Sequence, residues 1–289
     1  MIQRDTPIVH RQYLMKELKR LREGVRLTQQ AVADHLEWSL SKIQRIEAGF
    51  TNVGVTDLRA LLILYGVTDE EEVRGLLDAA RAAKKSAWWT PFRPHIAPQL
   101  YFFLGYEASA SRIRQFQTMT IPGLLQTPDY VESISSAWGN PPEVVQRGVD
   151  IRMNRQKIVT ADGPVMEFYL DEAVLRRRVG TVEGMEVQLR KLIEVSRLDN
   201  VTIRVVPFDS TIHPGLKGPF SLLYLSESPD EFIVVLEEPH RDVLIRDDEA
   251  EAQEYLKNFG KLDEVALSEE SSVELIEDII VEPSLRRRA

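Results

Sequence analysis

The chain has 289 residues, 45 acidic against 36 basic, a formal net charge of −9 and no cysteine. That excludes a disulfide-stapled secreted scaffold, a cysteine nucleophile and a thiolate metal site. No apolar run approaches the about 20 residues that a membrane-spanning helix needs, and the start, Met1 to Pro7, has no apolar signal-peptide core. A cytoplasmic protein of one large or two smaller domains is expected.

The charge is divided unevenly. Residues 1–66 hold ten basic and seven acidic side chains, a balance of +3, so the other 223 residues carry −12. A small positive N-terminal part on a large acidic body says more about partners than the total does.

The first 66 residues read as short helices joined by tight turns. Leu14, Leu18, Leu21 and Val25 form one apolar stripe, with Gly24 near the helix end. Thr28 suits an N-cap before Ala31, Val32 and Leu36, and Ser39 suits the next, before Leu40, Ile43 and Ile46. Gly49 follows as a left-handed C′ residue. Asp57 to Leu64 gives a fourth helix ending near Gly66, and Thr68 is expected to cap a fifth that runs towards Lys85.

Residues 86–98 contain three prolines and are expected to be a linker between a helical domain at 1–85 and a second domain at 99–289. Beyond it, 99–118 reads as helical, Thr127-Pro128 as an N-cap followed by N1, and 142–160 as another helix. Strands are expected at Val165–Leu170, Val201–Val206, Phe220–Leu225 and Phe232–Leu236, with helices at about 182–198, 248–262 and 268–280, and a frayed tail from Ser284. The fold class is an all-α helix-turn-helix N-terminal domain followed by an α+β C-terminal domain.

Two short amphipathic helices separated by Glu37-Trp38, with small Ala33 at their crossing, form a helix-turn-helix pattern. The major groove accepts one helix, so the outward face of the second helix becomes the reading face. With Leu40, Ile43 and Ile46 turned inward, Ser39, Ser41, Lys42, Gln44 and Arg45 remain for base edges and phosphates. A balance of +3 supplies little non-specific attraction. Useful affinity then calls for a homodimer on two operator half-sites about 34 Å apart or a multiple of that.

Leu27-Thr28-Gln29-Gln30-Ala31-Val32-Ala33 and Ile43-Gln44-Arg45-Ile46-Glu47-Ala48-Gly49 resemble the phage-repressor-like regulators of the xenobiotic response element (XRE) family. The resemblance implies that Gln29 contacts the DNA backbone, that Ser41, Lys42 and Arg45 face bases or phosphates, and that Arg22 and Glu47 form a structural ion pair. Glu37 stands where that family usually has glycine. The left-handed conformation costs a non-glycine residue about 1 kcal/mol, so a slightly altered turn is expected.

The acidic body carries Phe116-Gln117-Thr118, Ile121-Pro122-Gly123-Leu124-Leu125-Gln126-Thr127-Pro128-Asp129-Tyr130, Arg152-Met153-Asn154-Arg155-Gln156 and Asp171-Glu172-Ala173-Val174-Leu175-Arg176. Gln188-Leu189, Val206-Pro207 and Gly218-Pro219-Phe220 follow in the same order. Together with the N-terminal motif, this resembles the actinomycete regulators of the WhiJ-like type. That resemblance implies transcriptional control and pairing with a small partner protein, in an antitoxin-like arrangement. An antitoxin-like protein that mainly holds such a partner is the alternative function.

No enzyme is expected. The adjacent carboxylates of Asp171 and Glu172 point apart and suit capping of a helix at 173–178. Glu237, Glu238, His240 and Asp242 lack a second histidine at ligand spacing, so they read as a solvated loop. His213-Pro214-Gly215 reads as a turn. No phosphate loop or dinucleotide fingerprint occurs, and neither metal nor cofactor is expected. Trp88, Trp89, Phe92, Tyr101, Phe102, Phe103 and Tyr106 read mainly as core, but three consecutive aromatics cannot share one helix face. Residues 88–106 are therefore the candidate surface for an unknown small-molecule effector or a partner.

Overall fold

The computed structural model describes residues 6–49, 51–226, 228, 232–237, 243–245 and 249–282. The chain divides into two compact units, Met1–Ile96 and Ala97–Ala289. Their architecture is α-helical followed by α+β, as the periodicities indicate.

The first unit contains α1 (Pro7–Gly24), α2 (Gln29–His35), α3 (Leu40–Glu47), α4 (Val55–Leu64) and α5 (Glu70–Ala82), then a 3-10 helix at Thr90–His95. Its core is Leu14, Leu18, Val32, Ile43, Ile46, Leu58, Leu61, Leu62, Leu76 and Leu77, each at most 4% exposed. Val25 is not part of that stripe. It is the C-cap of α1 and 42% exposed.

Thr28 and Ser39 are N-caps, accepting from the backbone N–H of Ala31 and Lys42. The fifth helix is capped by Asp69, not Thr68. The Asp69 carboxylate accepts from Glu71 and Glu72 N–H, and a charged acceptor binds these positive orphan donors more strongly than a hydroxyl. Gly49 and Gly66 take φ of 71° and 72°.

Two turns reach the left-handed conformation without glycine. Arg26 has φ 57° and Glu37 has φ 54°. Leu27 N–H donates to Arg22 O and Trp38 N–H to Ala33 O, each spanning five residues. These are the long bonds of the Schellman motif, which require that conformation at the residue before the donor. The turn geometry is therefore kept at Glu37 rather than altered.

The second unit contains α6 (Pro98–Ser109), β1 (Arg112–Gln117), α7 (Pro128–Ala137), α8 (Pro142–Arg155), β2 (Val165–Asp171), α9 (Glu172–Arg176), α10 (Val182–Val195), β3 (Val201–Val206), β4 (Phe220–Tyr224), β5 (Phe232–Leu236), β6 (Val243–Ile245), α11 (Glu249–Val265) and α12 (Glu269–Val281). Among the described residues the strands form one sheet in the order β3-β2-β1-β4-β5-β6. β1, β2 and β3 are parallel, and β4, β5 and β6 continue antiparallel from β1.

β1 and β6 were not expected. β1 is Arg-Ile-Arg-Gln-Phe-Gln, buried at all but its first residue, and its polar side chains find distant partners. The Arg112 and Arg114 guanidiniums bind the Glu167 carboxylate, and Arg114 also reaches Asp263 at 3.3 Å. The helix expected across 99–118 stops at Ser109, and that expected across 142–160 gives way to a 3-10 turn at Gln156–Ile158.

One sheet face packs Phe116, Tyr169, Phe220, Leu222 and Val234 against Phe259 and Leu262 of α11. Beside this core, Tyr169 donates its hydroxyl to Asp263. Burial and the Asp263 carboxylate push that phenol up to about 12. Arg204 on edge strand β3 donates to the carbonyls of Asp263, Ala266 and Leu267, capping the negative end of α11. The same edge is held by Val205, whose N–H donates to Ser272 Oγ at 2.9 Å and whose carbonyl accepts from Leu267 N–H at 2.8 Å.

The connection after β1 is clamped from three sides. Fully buried Gln188 accepts from Thr127 N–H at 2.6 Å and donates to Leu125 O at 2.7 Å. Gln156 donates to Gly123 O and Gln126 O, and Lys191 donates to Gln126 O. Ile121 N–H donates to Tyr130 Oη. Side chains rather than water thus satisfy the backbone groups of Ile121, Gly123, Leu125, Gln126 and Thr127 that these bonds reach.

Candidate nucleic-acid interface

Helix α3 stands on a buried footing. Ile43 and Ile46 are at most 4% exposed, and Leu40 packs half-buried against the same core. The outward positions follow from the 3.6-residue period: Ser41, Gln44 and Arg45 lie one turn apart and share a face. All three are exposed. Ser39, also exposed, spends one oxygen lone pair on Lys42 N–H at 3.2 Å and keeps its hydroxyl proton as a donor.

The other two expected contact residues are engaged within the unit. The Lys42 ammonium lies 3.0 Å from Asp57 at the start of α4 and 3.5 Å from the centroid of the Trp38 ring. Gln29 Nε2 donates to Glu47 Oε2 at 2.9 Å. Neither tie was legible beforehand, although Trp38 and Lys42 stand four residues apart, the spacing of neighbours on a helix surface.

Arg22 and Glu47 do form an ion pair. Arg22 Nε and Nη2 donate to the two carboxylate oxygens at 2.7 and 3.0 Å, and Nη1 donates to Leu27 O at 2.8 Å. Both side chains are at most 10% exposed. The Glu47 partnership raises the Arg22 pKa. Burial and the Glu47 carboxylate push the neighbouring Tyr65 phenol up. α1, the start of α2 and the end of α3 are thus locked through one carboxylate.

The aromatic residues of 88–106 fall in different units. In the first, the Trp88 ring meets Trp89 at 5.5 Å and Phe92 at 6.3 Å, and Trp89 is buried. In the second, Phe102, Phe103 and Tyr106 are buried on α6 while Tyr101 is half-buried. The Arg155 guanidinium covers Phe103 at 4.9 Å and forms two 2.7 Å bonds with buried Glu107.

Asp171 caps α9 through Ala173 N–H at 2.9 Å, while Glu172 is buried, pairs with Arg176 and accepts from Phe208 N–H. Each carboxylate has a structural partner. His213 precedes a 3-10 turn at Pro214–Lys217 and packs on Phe116 at 5.9 Å. Glu237 accepts from Gln115 and Gln117, while Glu238, His240 and Asp242 lie outside the described residues, as does the tail from Ser284. No helix among the described residues is long and apolar enough to cross a membrane.

A capped reading helix set on a second short helix, with free donors on its outer face, defines the first unit as a helix-turn-helix domain of the DNA-binding regulator class. A helix-turn-helix family model matches residues 14–76. A model for a domain of unknown function, DUF5753, matches residues 102–278, more than half of the chain, and the chain belongs to that family. The pairing of the two fits an XRE-like regulator. No curated protein and no solved structure matches the chain.

Proposed function

We propose that the protein is a sequence-specific transcriptional regulator of the XRE family and WhiJ-like type. It works in the cytoplasm as a homodimer on a palindromic operator. Ala97–Ala289 supplies dimerisation and the response to a small-molecule effector or a small partner protein, and no catalytic step is assigned to it. The observation that carries this reading is the shared exposed face of Ser41, Gln44 and Arg45 on a helix whose other face is buried. Those side chains present donors for base edges at a spacing the major groove admits.

A salt-titrated footprint over the protein's own promoter tests it. Protection should appear over two half-sites about one helical turn apart or a multiple of it. Arg45→Ala should weaken binding by about 1–3 kcal/mol if Arg45 reads a base. Absence of protection, or protection indifferent to Arg45→Ala, overturns the reading.

A further inference from the structure

Three buried side-chain polar atoms around one end of the sheet have no hydrogen-bond partner among the described residues: Arg152 Nε, Gln126 Oε1 and His213 Nδ1. Parallel strands β1, β2 and β3 all finish at that end, and β5 finishes there too, because Phe116 pairs with Phe220 and Phe220 with Leu236. Gln126 lies on the connection leaving β1 and His213 on the connection leaving β3. Both are more than nine-tenths buried. Buried orphan polar atoms are rare enough in folded proteins that a group of them needs a cause.

Arg152 is the most costly of the three. Among the described residues its one hydrogen bond is a long one, 3.5 Å to Gly148 O. Burial and the neighbouring Arg155 cation push its pKa down to about 10, against the opposing pull of Glu237. The Glu237 carboxylate is itself held by Gln117 at 2.6 Å and Gln115 at 3.3 Å. The nearby Glu107 carboxylate is taken up by Arg155, which donates to both of its oxygens. A largely buried cation with no hydrogen-bonded counter-charge among the described residues is costly, and an anion that met it would remove that cost.

The connections leaving β1 and β3 also expose large apolar side chains. Met119, Phe208, Ile212 and Leu216 are 59%, 62%, 93% and 65% exposed. Apolar walls with a few convergent polar groups are the usual composition of a small-molecule site. The carboxyl ends of parallel strands are where open sheets take their ligands.

We propose that the carboxyl end of β1–β3 binds a small amphipathic organic anion, with its oxyanion on Arg152 and its apolar body against Met119, Phe208, Ile212 and Leu216. Carboxylate and phosphate share the required chemistry. Gln126 and His213 supply an acceptor and a ring nitrogen for a further polar group. The site rests on the proposed function only for its regulatory meaning. Ligand binding is measured without DNA, so failure of one reading is distinguishable from failure of the other.

The test is calorimetric titration of the full chain with octanoate and with octyl phosphate, using octylamine and octanol as cationic and neutral controls. At least one anion should bind saturably and the controls should not, and the preferred anion identifies the headgroup. Arg152→Gln should weaken that binding by about 10- to 100-fold, the loss expected for a charge-assisted bond, with Arg152→Lys recovering part of it. Ile212→Ser, at a position too exposed to disturb the fold, should weaken it by about threefold or more. No saturable binding of either anion, octanol binding as well as the anions, or binding unchanged in both Arg152→Gln and Ile212→Ser overturns the proposal.

Discussion

Glu47 accepts both Arg22, at 2.7 and 3.0 Å, and Gln29, at 2.9 Å, so a single carboxylate ties three helices beneath the reading face. Removing the carboxylate strands a guanidinium that is only 10% exposed. Glu47→Ala should lower the stability of the first unit by about 3–5 kcal/mol, the cost of breaking a buried pair from one side. The double variant Arg22→Met/Glu47→Leu should recover much of the loss. Urea unfolding of the parent protein and the two variants checks both statements. An equal loss in single and double variants would assign the effect to packing instead.

Lys42 and Asp57 make the opposite case, an ion pair whose removal should improve binding. The Asp57 carboxylate holds an ammonium that stands on the reading helix. Asp57→Asn removes one negative charge and releases one positive charge. Affinity for any duplex should rise, and the salt dependence should steepen by about one ion. Fluorescence anisotropy over a salt series reads both quantities, and an unchanged slope would mean that Lys42 never reaches a phosphate.

The turn between α2 and α3 stores a small strain at Glu37. Its φ of 54° is glycine territory, imposed by the Trp38-to-Ala33 bond. Glu37→Gly should stabilise the first unit by about 1 kcal/mol, visible as a higher midpoint of its unfolding transition.

Gln188 is fully buried and satisfies one donor and one acceptor of the loop after β1. Gln188→Leu keeps much of the volume but orphans Thr127 N–H and Leu125 O. A loss of about 2–5 kcal/mol is expected from two unmet backbone groups. Hydrogen exchange should show Thr127 N–H losing its protection first.

Arg152 has a pKa pushed down to about 10, below the ordinary guanidinium range. A depressed pKa gives stability that is present above the ordinary guanidinium range and lost as pH falls through about 10, so at neutral pH the whole penalty stands. Arg152→Met should therefore be neutral or stabilising at pH 7, by about 1 kcal/mol or more, in contrast with Glu47→Ala. A destabilised Arg152→Met in urea unfolding would show that the guanidinium is a structural support.

What could be read from the sequence was set by local chemistry. The caps at Thr28, Ser39 and Thr127, the left-handed glycine at 49, the helix end near Gly66, and strands β2 to β5 each depend on neighbours in the chain. Thr68 was the natural hydroxyl cap but lost to the adjacent Asp69 carboxylate. β1 was hidden because four of its six residues are Arg or Gln, acceptable in a buried strand only through Glu167, Asp263 and Glu237, which lie 53 to 149 positions away. The outward face of α3 was legible from periodicity. The engagement of Lys42 by Asp57 and of Gln29 by Glu47 was not, since each depends on how separate helices cross.

The treatment of Val205 bears on how two copies could meet. An edge strand is a template on which another chain can extend the sheet. Here the Ser272 hydroxyl and the Leu267 amide occupy the two backbone groups of Val205, and Arg204 turns its guanidinium onto the end of α11. The carboxyl half of that edge is thereby closed to strand addition and to the runaway stacking that open edges invite. Over this half of the edge any contact with another chain is left to side-chain chemistry rather than to a backbone ladder.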